Sequence, residues 1–398
     1  MRYRRTAAAI SCVLAVLAAG IVRPRYGGTL RIETSAAGEI GTTPFAGQIY
    51  ETLVRGDNHG EMRPWLATGW IHDPAAGKWI FSPRKDVALP DGSMWTPDEN
   101  TLTVPDTKPG DEILIEAGMD DKAVAESGAF RISNPRAGEF VRLTANENYW
   151  GGRPYLDSIE IQMGRPRRDQ LLDFELGKAD VVEAEITDVK ALKQANTVLQ
   201  VSKPLETVAL VFDNAKKSSA VREAVALSID RSAMQRVMLD KQGEVSGALL
   251  PQWISGYAFL FSTTRDIKRA KDLATEGTTL LLCLDGRDRV LRSLADRIAV
   301  DVNQAGIVVR QGTTSCEARL VRLPIRSANP QQALLYLASE LQTPAPAWGS
   351  PYAMECELVR DFRVVPLFHF PLVYALRPNV RNWSAQWDLA NVWLEEAQ

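Results

Sequence analysis

Ser82 and Lys85 are spaced as the nucleophile and base are in one class of serine hydrolase. They stand in the stretch Ser82-Pro83-Arg84-Lys85, which satisfies the pattern Ser-x-x-Lys. That chemistry requires the serine at a helix start and the lysine one turn later on the same face. The stretch instead alternates like a strand and contains a proline. Because the sequence has none of the other standard catalytic spacings either, we expect no enzymatic activity.

Histidine and acidic residues do not form a recognisable metal site in the sequence. His59, His72 and His369 are scattered, and none stands beside a cluster of carboxylates. Residues 285–288, Asp-Gly-Arg-Asp, lack the later glycine and glutamate of a calcium loop, so they favour a turn between strand and helix. We therefore expect no metal ion and no cofactor.

The composition is that of an ordinary globular protein. Of 398 residues, 45% are hydrophobic and 24% are charged, which is enough for two or three units with ample core. The formal net charge is −3, so no basic field would recruit nucleic acid. The ten tryptophans are unusual, since this side chain builds core or binds flat or amphipathic groups.

The N-terminus has the layout of a secretory signal peptide. Arginines at positions 2, 4 and 5 precede an uncharged apolar stretch at residues 6–22, with small residues at 18–20. The alternative is an uncleaved membrane anchor, for which the stretch is slightly short. Cys283, Cys316 and Cys356 follow, without CxxC spacing, so at most one disulfide can form and its pairing stays open.

Strand and helix patterns alternate along the chain and predict an α/β fold. Strands are expected at 27–34, 128–163, 207–214, 278–286 and 364–376, and helices at 44–55, 167–177, 218–239 and 289–306. The helix at 218–239 should break near Asp230. The aromatic stretch at 78–99 predicts a hairpin turning at 90–92 and then a helix start at 96–99. Trp79 and Phe81 share one strand face, which favours scaffold over a stacking surface for a ligand.

The order of several segments resembles the extracellular solute-binding proteins of family 5, the peptide and nickel receptors of bacterial ABC importers. The segments are YGGTLRI, KWIFSPRKDVALPDGSMWTPDE, GAFRI, NENYWGGRPYLDSIEI, FELGKADV and AVREAVALSIDRSAM. The resemblance implies a two-lobe periplasmic-binding-protein fold of type II-like form, with mixed sheets, flanking helices and a hinge. It implies a first lobe at 26–206 and 372–398, with a trimmed subdomain at about 47–129, and a second lobe at 207–371.

The resemblance also implies a function. The chain would be a monomeric periplasmic receptor that closes on a peptide-like or other small polar solute and delivers it to permease subunits in the membrane. Two departures from the family pattern bear on this. The region from Asp98 to Gly128 is short, which leaves open a non-transporting relative that acts as an exported or anchored sensor. Arg326 stands where peptide receptors carry an aspartate for the ligand's amino group, which favours an anionic ligand or a solvated rim residue.

The remaining candidates for ligand contact come from loops and from one strand. Thr34, Ser35 and Ala36 follow the first strand, where the family presents backbone to its ligand. Ser327 follows Arg326 in the same segment. Three further candidates have a bland alternative as core or loop residues: Trp253 and Trp348, which stand in loops with proline and glycine neighbours, and His369, which lies between two phenylalanines of an apolar strand.

Overall fold

The computed structural model describes residues 23–395, except 39, 41–42, 57–61, 90, 96–100, 106–126, 137–138, 214–215, 258–259, 261, 275–276 and 386. The predicted signal segment at 1–22, His59 and the predicted helix start at 96–99 lie outside the described residues.

The described part of the chain contains eighteen strands. They are β1 (Thr29–Glu33), β2 (Val54–Gly56), β3 (Met62–Pro64), β4 (Ala67–Asp73), β5 (Lys78–Pro83), β6 (Leu102–Pro105), β7 (Phe130–Arg136), β8 (Phe140–Ala145), β9 (Ser158–Gln162), β10 (Val181–Ala184), β11 (Val198–Phe212), β12 (Glu244–Val245), β13 (Thr279–Leu284), β14 (Val308–Gly312), β15 (Ala318–Pro324), β16 (Val364–Leu376), β17 (Val380–Arg381) and β18 (Trp393–Leu394).

Nine α-helices accompany these strands within the described residues. They are α1 (Arg167–Glu175), α2 (Val189–Gln194), α3 (Ser219–Ser228), α4 (Arg231–Val237), α5 (Gln252–Ser255), α6 (Ile267–Leu273), α7 (Arg289–Asn303), α8 (Pro330–Leu341) and α9 (Pro351–Val359). None of these helices has the length and apolar character needed to cross a bilayer. The predicted break near Asp230 is confirmed, because α3 ends at Ser228 and the Asp230 carboxylate caps the start of α4.

One large mixed sheet runs through the molecule. Its order is β14-β13-β15-β11-β16-β10-β1-β9-β8-β7, with β12 paired to β16. The strand β1 is parallel to β9 and β10, and β13 is parallel to β14 and β15, while the other neighbours in this sheet are antiparallel. The parallel neighbours β13 and β14 are joined through α7, as the alternating sequence pattern predicts, and the α/β class is confirmed.

Two long strands connect the two halves of this sheet. β11 has 15 residues and β16 has 13. Near one end β16 pairs with β10, and farther along β11 pairs with β15. Pro204 of β11 faces Pro371 of β16, and the register shifts on both sides of this pair. Since proline has no backbone N–H to donate, the ladder of hydrogen bonds is interrupted between the two halves.

Separate hydrophobic cores lie on either side of the proline pair. One core combines β1, β8, β9 and part of β16 with aromatic residues near the C-terminus, among them Trp383 and Trp387. We call this half the first lobe. The other half, the second lobe, has a core under α3, α4 and α7 on one sheet face and a core under α8 and α9. The predicted arrangement of two lobes around mixed sheets with flanking helices is confirmed.

The aromatic stretch at 78–83 forms part of a small separate sheet in the order β4-β5-β6. Phe81 is buried, while Trp79 is half-buried and stacks on His72 with ring centroids 4.3 Å apart. The shared face of Trp79 and Phe81 is as predicted, but the partner strand is not. β5 pairs with β4 across residues 74–77, whereas the turn at Asp91 and Gly92 is flanked by an isolated bridge between Ala88 and Met94 and does not join β5 to its predicted partner.

A disulfide bond in the second lobe joins β13 to the segment just before its neighbour β15. Cys283 in β13 is bonded to Cys316, which lies just before β15, with a sequence separation of 33 residues. The loop that it closes contains α7 and β14. Cys356 on α9 is half-buried and free. The prediction of at most one bridge is confirmed among these three cysteines, and the pairing that the sequence left open is Cys283 with Cys316.

We expect the double variant Cys283→Ala/Cys316→Ala to lower the free energy of unfolding by about 2 to 4 kcal/mol, because the open chain gains conformational entropy when a loop of this length is released. Urea denaturation followed by circular dichroism measures the change. Cys356→Ala is the matched control and should leave the midpoint in place. Equal stability of the double variant and the wild type in oxidising buffer would show that the bond does not form in solution.

Candidate functional site: the interface between the lobes

The loop that follows β1 is held by a glutamate of the neighbouring strand. The Thr34 hydroxyl donates to Glu183 Oε1 at 2.6 Å, and the Ser35 N–H donates to Glu183 Oε2 at 3.1 Å. The Ala36 N–H donates to Thr34 Oγ1 at 3.1 Å. Because β1 and β10 are parallel neighbours, their carboxyl ends meet at the edge that faces the second lobe. The three predicted contact residues thus lie together, and the donors of Thr34 and Ser35 are engaged by the chain's own carboxylate.

The start of α1 adds a guanidinium to this edge. Arg167 is the first residue of α1, and its Nη1 lies 2.6 Å from Glu185 Oε1. Its Nε lies 3.5 Å from Glu183 Oε2. Glu185 follows β10 directly and also accepts a hydrogen bond from the backbone at the start of the next helical turn. Two glutamates that flank one alanine therefore project from the same side of β10 and share one arginine.

The second lobe contributes Arg322, whose side chain is 8% exposed. Its Nη1 lies 2.8 Å from Glu185 Oε2 of the first lobe, and its Nη2 lies 2.7 Å from Glu206 Oε2 of β11. Asp288, which caps α7, is 3.6 Å from the same guanidinium. The contact between Arg322 and Glu185 directly joins the two lobes.

The charges of this network are mutually dependent. Burial alone would lower the pKa of the Arg322 guanidinium, but Glu206 and Glu185 raise it above its usual value. Burial alone would raise the pKa of Glu185, but Arg167 and Arg322 hold it below its usual value. Four carboxylates, those of Glu183, Glu185, Glu206 and Asp288, face the two guanidinium groups. The network therefore keeps an excess of negative charge at the interface.

Trp253, a predicted contact residue, lies beside the crossing strands. Its indole N–H donates to the Pro204 carbonyl oxygen at 2.9 Å, and the Lys203 ammonium stands 5.0 Å from the ring centroid. The ring is half-buried. The ring is thus hydrogen-bonded to the position at which the ladder between β11 and β16 is interrupted, so a change in lobe orientation there would move it.

Arg326, Ser327 and Trp348 lie with α8 and α9 instead. Arg326 is half exposed, and its guanidinium is 3.1 Å from Glu340 Oε1 on α8. The Ser327 hydroxyl accepts from the Asn329 N–H at 3.1 Å beside the start of α8. Trp348 is half-buried against the core under α8 and α9. These three residues do not join the network around Arg322, and their role as ligand contacts stays a prediction.

His369 is buried within β16 and is 2% exposed. Its Nε2 lies 3.1 Å from the Leu249 carbonyl oxygen, and burial lowers its pKa to about 4, so the ring is neutral at pH 7. The N–H groups of Leu249 and Leu250 donate to Glu355, a carboxylate without exposed surface that also accepts from the Tyr257 hydroxyl. His369 and Glu355 thus fix one buried loop from two sides.

Sequence reasoning missed the residues that form the network. Glu183 and Glu185 stand at the end of a short apolar run, Val181-Val182, and Arg322 stands within the apolar strand β15. A charged residue in such a run is a usable signal, because a buried strand tolerates it only where a partner neutralises it. Within the described residues, no three His, Cys, Asp or Glu side chains converge in a way that could hold a metal ion.

Residues 109–309, half of the chain, match the family described as bacterial extracellular solute-binding proteins, family 5 Middle. The chain belongs to family 5 of the bacterial extracellular solute-binding proteins. The resemblance found in the sequence is therefore confirmed for this family 5 protein.

Individual relatives are distant. The probable ABC transporter periplasmic-binding protein SapA of Escherichia coli is 24% identical over 203 residues, which are 48% of this chain and 37% of SapA. The nickel-binding periplasmic protein of Escherichia coli is 23% identical over 336 residues, 65% of this chain and 64% of that protein. The matches thus span less than two thirds of the length of these curated relatives.

Solved structures share the fold of this family 5 protein. The oligopeptide-binding protein AppA of Bacillus subtilis, in complex with a nonapeptide, superposes with a TM-score of 0.73. The superposition covers 94% of this chain and 100% of that chain at 16% identity. A likeness at this identity establishes the two-lobe fold and leaves the ligand open.

We expect Arg322→Leu to lower the free energy of unfolding by about 3 to 5 kcal/mol, because it leaves Glu185 and Glu206 buried without their partner. Arg326→Leu is the matched control. It breaks an exposed pair with Glu340, which is worth about 1 kcal/mol or less. Urea denaturation of both variants measures the difference. Similar losses for the two variants would mean that Arg322 is not buried between the lobes in solution.

Glu355 and His369 should produce opposing effects of pH on stability. Burial raises the pKa of Glu355 from 4.5 to about 7, so the folded state holds its proton more tightly and loses stability as pH rises through that window. Burial lowers the pKa of His369 from 6.5 to about 4, so the folded state loses stability as pH falls through that window. Between pH 4.5 and 6.5 the two contributions oppose one another in the wild type.

We therefore expect Glu355→Gln to expose the contribution of His369. In this variant, the free energy of unfolding should fall on acidification from pH 6.5 to 4.5, by about 1 kcal/mol per pH unit relative to the wild type. Urea denaturation at several pH values in this range is the measurement. Glu357→Gln on the same helix is the control and should follow the wild-type curve. Parallel curves for Glu355→Gln and the wild type would contradict the assignment.

Proposed function

We propose that this family 5 protein is the solute-binding receptor of an ABC importer and captures a peptide-like or other small polar solute between its lobes. One observation carries the proposal. Polar groups of both lobes converge at an interface that two strands cross, and the hydrogen-bond ladder of those strands is interrupted at Pro204 and Pro371. Such an arrangement lets a ligand that touches both lobes favour the closed state.

The network supplies both kinds of polar contact that a solute would need. The Thr34 hydroxyl and the Ser35 N–H now donate to Glu183. A carbonyl or carboxylate group of the solute could accept these hydrogen bonds in place of Glu183. Glu206, the last residue of the first lobe on β11, and Asp288 of the second lobe are acceptors. On binding, hydrogen bonds within the protein would be replaced by hydrogen bonds between the protein and the solute. The difference in free energy between these two sets of contacts would set the affinity for the solute.

The proposed setting follows the curated relatives, whose names describe periplasmic binding proteins. We expect an exported monomer that works with permease subunits in the membrane, without catalysis, cofactor or nucleic acid. The boundaries of the lobes at 206–207 and 371–372, the trimmed subdomain and the signal segment belong to the same proposal. The eight predicted contact residues are kept as candidates, with Thr34, Ser35 and Ala36 placed nearest to the network.

A second candidate function has one specific observation in its favour. Glu183 already satisfies the loop after β1, and Arg322 already joins the lobes, so the chain's own side chains take the place of a solute. A protein held closed in this way would suit a non-transporting relative, exported or membrane-anchored, that acts as a sensor or binds a partner protein.

Ligand binding and lobe closure distinguish the two functions. We expect at least one class among peptides, oligosaccharides and organic anions to raise the melting temperature, because a ligand that binds only the folded state stabilises it. Fluorophores attached through Arg131→Cys on the first lobe and Val300→Cys on the second, in a Cys356→Ala background, should report a change in transfer efficiency with the same ligand. A shift without such a change would contradict capture between the lobes.

Arg326 provides the mutational arm of this experiment. If it reaches the solute, Arg326→Asp should weaken an acidic ligand by roughly tenfold or more. Arg310→Asp, on the edge strand β14 of the same lobe, is the matched control and should bind as the wild type does. Unchanged affinity in Arg326→Asp would remove this residue from the site, and the absence of any ligand would favour the second candidate function.

A further inference from the structure

A cavity of about 320 Å³ opens on the first lobe between α1 and the sheet. Its lining includes three acidic and three basic side chains, which are those of Arg31, Glu33, Glu160, Arg165, Asp173 and Lys178. Pockets for small ligands begin at about this size, and polar groups placed in them set orientation and specificity. Acidic and basic side chains are thus equal in number in the cavity, whereas carboxylates outnumber guanidinium groups in the network between the lobes.

The sheet separates this cavity from the lobe interface. Along β1, the Leu30 and Ile32 side chains belong to the core of the first lobe, whereas Arg31 and Glu33 alternate with them and line the cavity, to which Ile32 also contributes. Thr34 is the next residue and bonds Glu183 on the core side. None of the residues that line the cavity belongs to the network around Arg322, so variants can test the two sites independently.

Glu33 is the feature of the cavity that points to a ligand. It is 7% exposed, its ion pair is with Arg165 Nε, 3.5 Å from Oε2, and its carboxyl group also shares a hydrogen bond with Asp173. That distance is long for a bond between two charges, and a carboxylate can accept several hydrogen bonds. One long ion pair beside a second carboxyl group compensates the charge of Glu33 only in part, and burial and the neighbouring Asp173 accordingly raise its pKa despite Arg165. A cationic group in the cavity would complete the compensation.

The positive groups of the cavity differ in how firmly they are held. Arg31 is fixed by Asp180, with Nε at 3.0 Å and Nη2 at 2.8 Å, and by the Gly177 carbonyl oxygen. Lys178 is 63% exposed on its side chain and contacts Asp173 at 2.9 Å. Because an ammonium has three donors, Lys178 can bind an anionic group at the mouth of the cavity while it keeps this contact.

We propose that the cavity binds a free α-amino acid, with the ligand's ammonium group on Glu33 and its carboxylate on Lys178 at the mouth. The two charges of such a ligand are a few ångströms apart, and the cavity places its acidic and basic groups side by side around Asp173. Its volume admits a small or medium side chain. This site lies outside the lobe interface, and its occupation does not depend on the receptor function proposed above.

Isothermal titration calorimetry on the full protein tests the proposal, with the free α-amino acids as probes. We expect at least one to bind with a dissociation constant below about 1 mM, and the N-acetylated or carboxyl-amidated form of that amino acid to bind roughly tenfold or more weakly. Glu33→Gln and Lys178→Gln should each weaken it to a similar degree. Because Lys178 is exposed, its variant retains the fold even if replacing Glu33 destabilises the protein.

Matched controls are Glu175→Gln and Lys193→Gln, which are exposed on α1 and α2 and do not line the cavity. They should bind as the wild type does. The proposal is overturned if no amino acid binds, or if Glu33→Gln and Lys178→Gln bind as the wild type does. An amino acid whose binding is lost in Arg322→Leu but kept in Glu33→Gln binds between the lobes, which overturns this proposal while supporting the receptor function.

Discussion

The guanidinium of Arg322, buried between carboxylates of both lobes, is the interaction on which the arrangement of the molecule depends. Removing a charge from water is costly, and the cost is recovered only where partners surround the charge in good geometry. Those partners come from β10 and β11 and from the residue that caps α7. All of these elements must therefore keep their positions together, which couples the edge of the first lobe to the sheet of the second.

Near the network around Arg322, the hydrogen-bond ladder between the crossing strands β11 and β16 is interrupted. β11 and β16 are continuous through both lobes, yet Pro204 faces Pro371 and the register shifts around them. A change in lobe orientation would be absorbed where the ladder already lacks hydrogen bonds, and it would have to separate Arg322 from Glu185. Under the proposed receptor function, the free energy of that contact forms part of the balance between closed and open states, to which a solute would add its own contribution.

The sequence predicted those features that depend on neighbouring residues in the chain. The cap at Asp230 divides α3 from α4, and the apolar run at 364–376 is a strand, because local spacing and capping determine both. Contacts between segments that are distant in the chain leave no such local signal. Glu183 meets Thr34 and Arg167 only because β10 lies between β1 and β16, and no periodicity encodes that order. The stretch at 78–83 is a further example. It pairs with β4 across a turn at residues 74–77, which precedes in the chain the turn that was predicted at Asp91 and Gly92.

The segment at 318–327 shows why the position of a residue in a motif does not settle the charge of the ligand. Two of its three arginines, Arg322 and Arg326, are four residues apart, and β15 ends between them at Pro324. Arg322 is therefore still on the strand and lies in the network, whereas Arg326 has left the sheet and pairs with Glu340 on α8. An anion that approached Arg322 would compete with Glu185 and Glu206 for the same donors, whereas a cationic group would meet carboxylates in excess. Under the proposed receptor function, a solute's cationic group would suit the network, whereas an anionic group would suit Arg326, so the two positions predict different ligand charges.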